Sequence, residues 1–357
     1  MTTSLRLGVL DQSPISEGST GADALRNTLD LASLCDGLGY HRYWVAEHHA
    51  TPMLACASPE ILIAAIGERT RFLRIGSGGV MLPHYSPLKV AEVFSILSAL
   101  FPGRIDLGIG RAPGTDQMTA FAMQRDRRQA SPDDFPQQMA ELLGYVENKM
   151  PPGHPFARLA PLLPGRPHAP EVWLLGSSEQ SAIWAAESGL PYAFADFINP
   201  EGAGYAKLYR ENFQPSETLK EPRVIVAPWA ICADSDEEAQ RIAASARMTR
   251  ALLNRGQLIA VPPIERAEKF LVEYGRNADT NARPRRAIIG TPEKVRAGIE
   301  AVAEAYAAEE AMIVTIAFEH TARRRSYELI AQAFQLAGDR ENFVQNVSTG
   351  GPKTSNV

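Results

Sequence analysis

The sequence predicts an α/β protein, specifically a (β/α)8 TIM barrel with insertions after strands 4 and 7. Eight short apolar runs alternate with stretches of helical periodicity over most of the 357 residues. Polar and charged residues gather where several of these runs end, most densely at Tyr43-Trp44-Val45-Ala46-Glu47-His48-His49. Parallel α/β folds place their chemistry at those strand ends. Strand and helix alternation also admits an open doubly wound sheet, and the count of eight units favours the closed barrel.

Residues 5–10 alternate as a first strand, a polar turn follows to Gly21, and Leu25, Leu29, Ala32 and Cys35 share one helical face. The pattern repeats as strand 42–46 with helix 58–68, then strand 73–81 with helix 87–100, where Val90, Val93, Phe94 and Leu97 align. Pro102-Gly103 turns the chain into strand 104–110. Strands at 171–175, 191–195, 224–232 and 311–316 complete the eight, with helices near 178–189, 200–213, 235–250 and 293–307 and a last one near 323–337. Two stretches break the rhythm, 112–170 with its Pro-rich run from Met150 to Pro170, and 251–289. Each is read as following a strand and so as lying on the active-site face. Residues 1–340 are expected to form a single domain and 341–357 a polar, disordered tail.

A composition of 45% hydrophobic and 22% charged residues suits a globular protein with a full core. A net charge of -5 without basic clusters argues against nucleic acid, whose phosphates need many cations on one face. No window reaches the roughly 20 apolar residues of a membrane span, and the amino end has no secretory pattern. Cys35, Cys56 and Cys232 lack the paired spacing of a zinc site and read as buried thiols in a reducing cytoplasm.

Adjacent histidines on a continuing strand point to opposite faces, so His48 and His49 cannot both face the mouth, and the His-x-His of a barrel metallohydrolase is absent. One catalytic histidine beside Glu47 is expected, and no metal. Gly76, Gly78 and Gly79 in the third strand leave room for a bulge, a cis peptide or the close approach of a flat ring. Arg111 ends the fourth strand behind Gly108 and Gly110, where a guanidinium can bind phosphate or carboxylate or simply pair with an acid. Gly176, Ser177, Ser178 and Ser181 form a hydroxyl-rich turn opening a helix, which can hold an anion or merely cap the helix.

Taken in order, several segments make the chain resemble the bacterial luciferase-like flavin monooxygenases from Leu5 to about Phe334. They are Trp44 to His49, Ile75 to Pro83 followed by Pro87, Pro102 to Arg111, and Gly290-Thr291-Pro292-Glu293-Lys294-Val295. The resemblance implies a homodimeric barrel that takes reduced FMN from a separate NAD(P)H:flavin reductase and oxygenates a small organic substrate with O2 through a peroxyflavin. It makes His48 the histidine beside the reactive flavin edge and His49 its supporting neighbour, with Glu47 in the cofactor site. Gly78-Gly79 becomes a cis peptide under the ring, and Arg111, Ser178 and Ser181 become phosphate ligands. Ser177 stands where luciferase has glutamate, and Ile109 where luciferase has a reactive cysteine, so thiol sensitivity does not transfer. Aldehyde use and light emission do not follow either. The competing readings are a deazaflavin-dependent hydride-transfer enzyme, with Arg125, Arg127 and Arg128 as a basic groove for the cofactor tail, and a non-catalytic flavin-binding protein. A metal-dependent hydrolase ranks last.

Overall fold

A computed structural model describes residues 5–112, 114–124, 134–277 and 287–336. Eight parallel strands close into a barrel: β1 (Arg6–Asp11), β2 (Arg42–Val45), β3 (Arg74–Met81), β4 (Ile105–Gly110), β5 (Glu171–Gly176), β6 (Tyr192–Phe194), β7 (Val224–Val226) and β10 (Glu310–Ile313). Sequential strands are neighbours, and β10 pairs with both β7 and β1 to complete the ring. The expected Gly78–Gly79 cis peptide is present, at a register shift of β3 against β4.

The helices are α1 (Gly21–Leu38), α2 (Pro59–Gly67), α3 (Pro87–Leu100), α4 (Gln117–Met123), α5 (Phe135–Val146), α6 (Glu179–Glu187), α7 (Ala203–Asn212), α8 (Asp236–Leu253), α9 (Ile264–Asn277), α10 (Pro292–Ala305) and α11 (His320–Ala333). Their starts follow from the sequence. Thr20 caps α1 in a reciprocal box with Asp23. Pro59, Pro87 and Pro292 occupy first helical positions, where a missing N–H costs nothing.

Two expectations are corrected and a third is kept in part. The run 224–232 is not one strand: β7 stops at Val226, and β8 (Ala230–Cys232) leaves the barrel to pair with β9 (Ile288–Gly290). Pro228 lies at the break and has no N–H to give to a ladder. The stretch 112–170 is not one insertion, because α5 packs on α3 as an ordinary barrel helix. The Pro-rich run after α5 therefore connects a helix end to the start of β5, which puts it at the N-terminal end of the barrel, opposite the mouth. There Arg166 donates to the carbonyls of Val146, Tyr145 and Ala160, and Gly165 N donates to Ser95 Oγ at 2.8 Å. Finally, 251–289 contains α9, whose Ala267 is buried against Met248 and Leu252 of α8. Ahead of α9, Val261 exchanges backbone bonds with Ile15 and Glu17 on the loop after β1, so this part does lie on the mouth face. The tail 341–357 and Arg125, Arg127 and Arg128 lie outside the described residues.

The barrel interior is layered. At strand starts, Arg42 donates to Asp106 (2.5 Å) and Glu310 (3.1 Å), Arg74 to Asp106 (2.5 Å), and Arg223 to Glu171 (2.6 Å). Arg42, Asp106 and Glu310 are almost wholly buried, so each charge is stable only because it is paired. Burial opposes ionisation of Glu171, but Arg223, Arg42 and Arg74 prevail and lower its pKa to about 2. Above this layer lies an apolar one, where the Trp44 and Trp173 rings meet edge to face at 5.7 Å with Leu10, Ile225 and Met312. Trp44 Nε1 donates to Asp106 Oδ2 at 3.0 Å and ties the two layers together.

Candidate active site at the barrel mouth

The C-terminal strand ends surround a cavity of about 450 Å³. Its floor is apolar, made by Leu10, Trp44, Ile225 and Met312, and one wall is the backbone of Gly78 and Gly79. Side chains cannot be accommodated on that wall. A Cβ on Gly78 would lie 2.5 Å from Leu10 Cδ1, and one on Gly79 would lie 2.8 Å from Gly108 O. The strand therefore presents bare peptide to the cavity, which suits a flat conjugated ring.

The opposite end is polar. Arg111 leaves β4 exposed at the rim, its guanidinium 5.6 Å from the Trp184 ring centroid. Across from it, Ser178 caps α6 in a reciprocal box with Ser181. Ser181 Oγ bonds Tyr192 Oη at 2.8 Å, and Asn199 donates to Ser177 O at 3.0 Å. Gly176 is required here, since a Cβ would fall 2.1 Å from Ser181 Oγ. Arg111, Gly176, Ser177, Ser178 and Ser181 all line the one cavity, as do Gly78 and Gly79. A cation, hydroxyls and the positive end of a helix are the kinds of group that can hold an anion.

Glu47, His48 and His49 lie beside this cavity and not among its lining. The strand ends at Val45, so the alternation of faces does not reach the histidines. Glu47 is fully buried and accepts from His49 Nε2 (2.6 Å), Met81 N (3.0 Å) and Tyr85 Oη (2.9 Å). It thereby joins the β2 loop to the end of β3. His48 N donates to Cys56 O, while His48 Nδ1 is buried without a hydrogen-bond partner among the described residues. Burial, with the charge of His49 second, lowers the His48 pKa to about 4, so it is neutral at pH 7.

Trp184, Gln180, Tyr85 and Tyr192 were not anticipated. Trp184 follows Ser181 by one helical turn, a spacing that could have drawn it into the serine turn, but an aromatic at that position reads first as core. The tyrosines act through hydroxyls whose partners are distant in sequence. Among the described residues, no group of three or more His, Cys, Asp or Glu is placed to hold a metal, and no helix is long and apolar enough to cross a membrane.

A family model described as luciferase-like monooxygenase matches residues 5–309. The chain belongs to that family. It is an enzyme, a luciferase-like flavin-dependent monooxygenase. A luciferase-like monooxygenase of Escherichia coli (strain K12) is 40% identical over 91% of this chain and 96% of its own. The N-acetyl-S-alkylcysteine monooxygenase of Bacillus subtilis (strain 168) is 37% identical over 93% and 99%. Among solved structures, apo-MsnO8 superposes with a TM-score of 0.84 at 40% identity, covering 94% of this chain and 98% of its own.

Proposed function

We propose that this luciferase-like monooxygenase uses reduced FMN and O2 to oxygenate a small organic substrate through a peroxyflavin. One observation carries the reading: a single cavity combines a bare-peptide wall at Gly78-Gly79 with an anion-binding end at Arg111, Ser178 and Ser181. Reduced FMN, when bound, would supply the electrons that activate O2. Arg111 and the first turn of α6 would grip its phosphate, and Gly78, Gly79 and the apolar floor would take the ring. The apolar walls keep water from the reacting atoms. A neutral His48 could hold or accept a proton but would not supply a positive charge.

Proteins of the same fold divide on the cofactor. A type II Baeyer-Villiger monooxygenase of 20% identity (TM-score 0.70) is in complex with FMN, and a secondary alcohol dehydrogenase of 13% identity (TM-score 0.65) depends on F420. At that distance each speaks for the fold alone. FMN is favoured here because the polar end offers one compact phosphate site. The substrate of the Bacillus relative is a thioether, and we extend that class to this chain.

We also propose a transient NAD(P)H:flavin reductase as partner and a homodimer formed through α2 and α3. Exposed Ile61, Ile96 and Leu100, with Phe72 nearby, favour that face. The three buried, unpaired thiols favour a reducing cytoplasm.

Stopped-flow absorbance after mixing anaerobically reduced FMN and protein with air tests the reading. The expected result is a long-lived near-ultraviolet peroxyflavin species that fades in His48→Ala. Immediate return to oxidised FMN, with tight deazaflavin binding instead, would replace it by hydride transfer.

A further inference from the structure

Glu47 is fully buried beside the mouth cavity and is not part of its lining. Both of its oxygens are engaged within the protein. Oε2 accepts from Met81 N at 3.0 Å, and Oε1 meets Tyr85 Oη at 2.9 Å and His49 Nε2 at 2.6 Å. Met81 lies two residues beyond Gly79 and itself lines the cavity. The donor of its bond is a backbone N–H, so the carboxylate holds the main chain of β3 just past the bare-peptide wall. The same segment locates the chain beyond Arg111. Gly114 has a φ of +62°, and a Cβ there would lie 2.9 Å from Glu47 O and 3.2 Å from Met81 Cγ. Thr115 Oγ1 donates to His49 O at 3.0 Å. The segments that follow β2, β3 and β4 therefore converge on one buried carboxylate. Two of these strands carry opposite ends of the cavity, β3 with Gly78-Gly79 and β4 with Arg111 at its end.

We propose that Glu47, oriented by Tyr85, is a positioning residue of the mouth cavity that sets the wall at Gly78-Gly79 and the guanidinium of Arg111 at the separation a single flavin nucleotide spans. The assignment rests on the reading that this cavity holds FMN, and it moves Glu47 from the contacts of the cofactor to their support. A side chain that is 0% exposed gives a ligand no surface to touch. A site that grips a ligand at two ends loses affinity when their separation is free to vary, because the ligand must then order the loops as it binds. A carboxylate suits the task, since it accepts from a main-chain N–H, a phenol and an imidazole at once. The geometry of these bonds carries the role, and the charge does not. A glutamine amide in the same place keeps an acceptor for Met81 N and offers N–H to the Tyr85 hydroxyl and to the other tautomer of His49.

The test reads Glu47→Ala, Glu47→Gln and Tyr85→Phe in the full chain by two measurements. One is FMN affinity from flavin fluorescence, and the other is amide hydrogen exchange by mass spectrometry in the absence of FMN. Glu47→Ala should weaken FMN binding about tenfold or more and speed exchange at Met81 and at 114–116 about tenfold, while exchange at Val224–Val226 across the barrel stays at the wild-type rate. Glu47→Gln should restore both quantities to within about threefold of wild type, and Tyr85→Phe should shift each by about two- to fivefold. Wild-type FMN affinity in Glu47→Ala, or exchange that rises equally around the barrel, would overturn the assignment. So would a Glu47→Gln as damaging as Glu47→Ala, which would hand the role to charge. If Glu47→Ala does not fold, Tyr85→Phe decides, and wild-type exchange at Met81 with wild-type FMN affinity would overturn the assignment. A wild type that binds no FMN would defeat the FMN reading, and exchange at Met81 and 114–116 would still decide whether Glu47 holds the two segments.

Discussion

The two ends of this barrel solve opposite problems with the same residue types. At the strand starts, Arg42, Arg74 and Arg223 are locked against Asp106, Glu171 and Glu310, and the axis is filled. At the strand ends, Arg111 stands at the rim of an open cavity and the backbone is stripped to glycine. An arginine locked in a buried carboxylate network serves stability, and one beside a helix start and an apolar void is, on the proposed reading, placed to meet a ligand. Charge alone does not distinguish them. What surrounds the charge does.

Breaking the closed end should have the largest effect. Arg42→Met leaves Asp106 and Glu310 buried with too few partners and should cost about 3–5 kcal/mol in chemical denaturation. A loss below about 1 kcal/mol would mean that water reaches this layer.

At the open end the first sharpening concerns pH. The folded pKa of His48, about 4, lies below its ordinary 6.5, so the unfolded chain takes up a proton that the folded one refuses. Stability is therefore full above pH 6.5 and falls as pH drops toward 4, by about 3 kcal/mol over that window. His48→Gln should flatten this part of the stability profile, and an unchanged slope would assign the acid sensitivity elsewhere.

Arg111→Ala should reverse the pattern of Arg42→Met. FMN affinity should weaken about 10- to 100-fold while the melting temperature stays within roughly 2 °C of wild type. Tyr192→Phe removes one hydrogen bond from Ser181 and should weaken FMN binding only two- to threefold, less than about 1 kcal/mol. If Tyr192→Phe proved as damaging as Arg111→Ala, the serine turn and not the guanidinium would dominate anion binding.

The sequence announced the barrel well because its strands are short apolar runs separated by helices that carry their own start signals, as at Thr20, Pro87 and Pro292. The breaks came where one residue overruled a run. Pro228 ends a ladder that the apolar stretch 224–232 suggests should continue. The helix α5 was hidden because Pro and Gly nearby made the whole of 112–170 look irregular. At the site, the gathering of Gly78, Gly79, Arg111 and the serine turn around one cavity was legible because each lies near the end of a strand or the start of a helix. The placement of Glu47 and its histidines was not, since the turn after Val45 and the hydroxyl of Tyr85 decide which way each side chain points.

The central claim is that the mouth of this barrel holds FMN by its phosphate. Titrating FMN and riboflavin side by side into wild-type protein and Arg111→Ala, by flavin fluorescence, tests it most directly. The account predicts that the wild type prefers FMN by about tenfold or more and that Arg111→Ala binds the two alike. Equal affinity of the wild type for both flavins would contradict it.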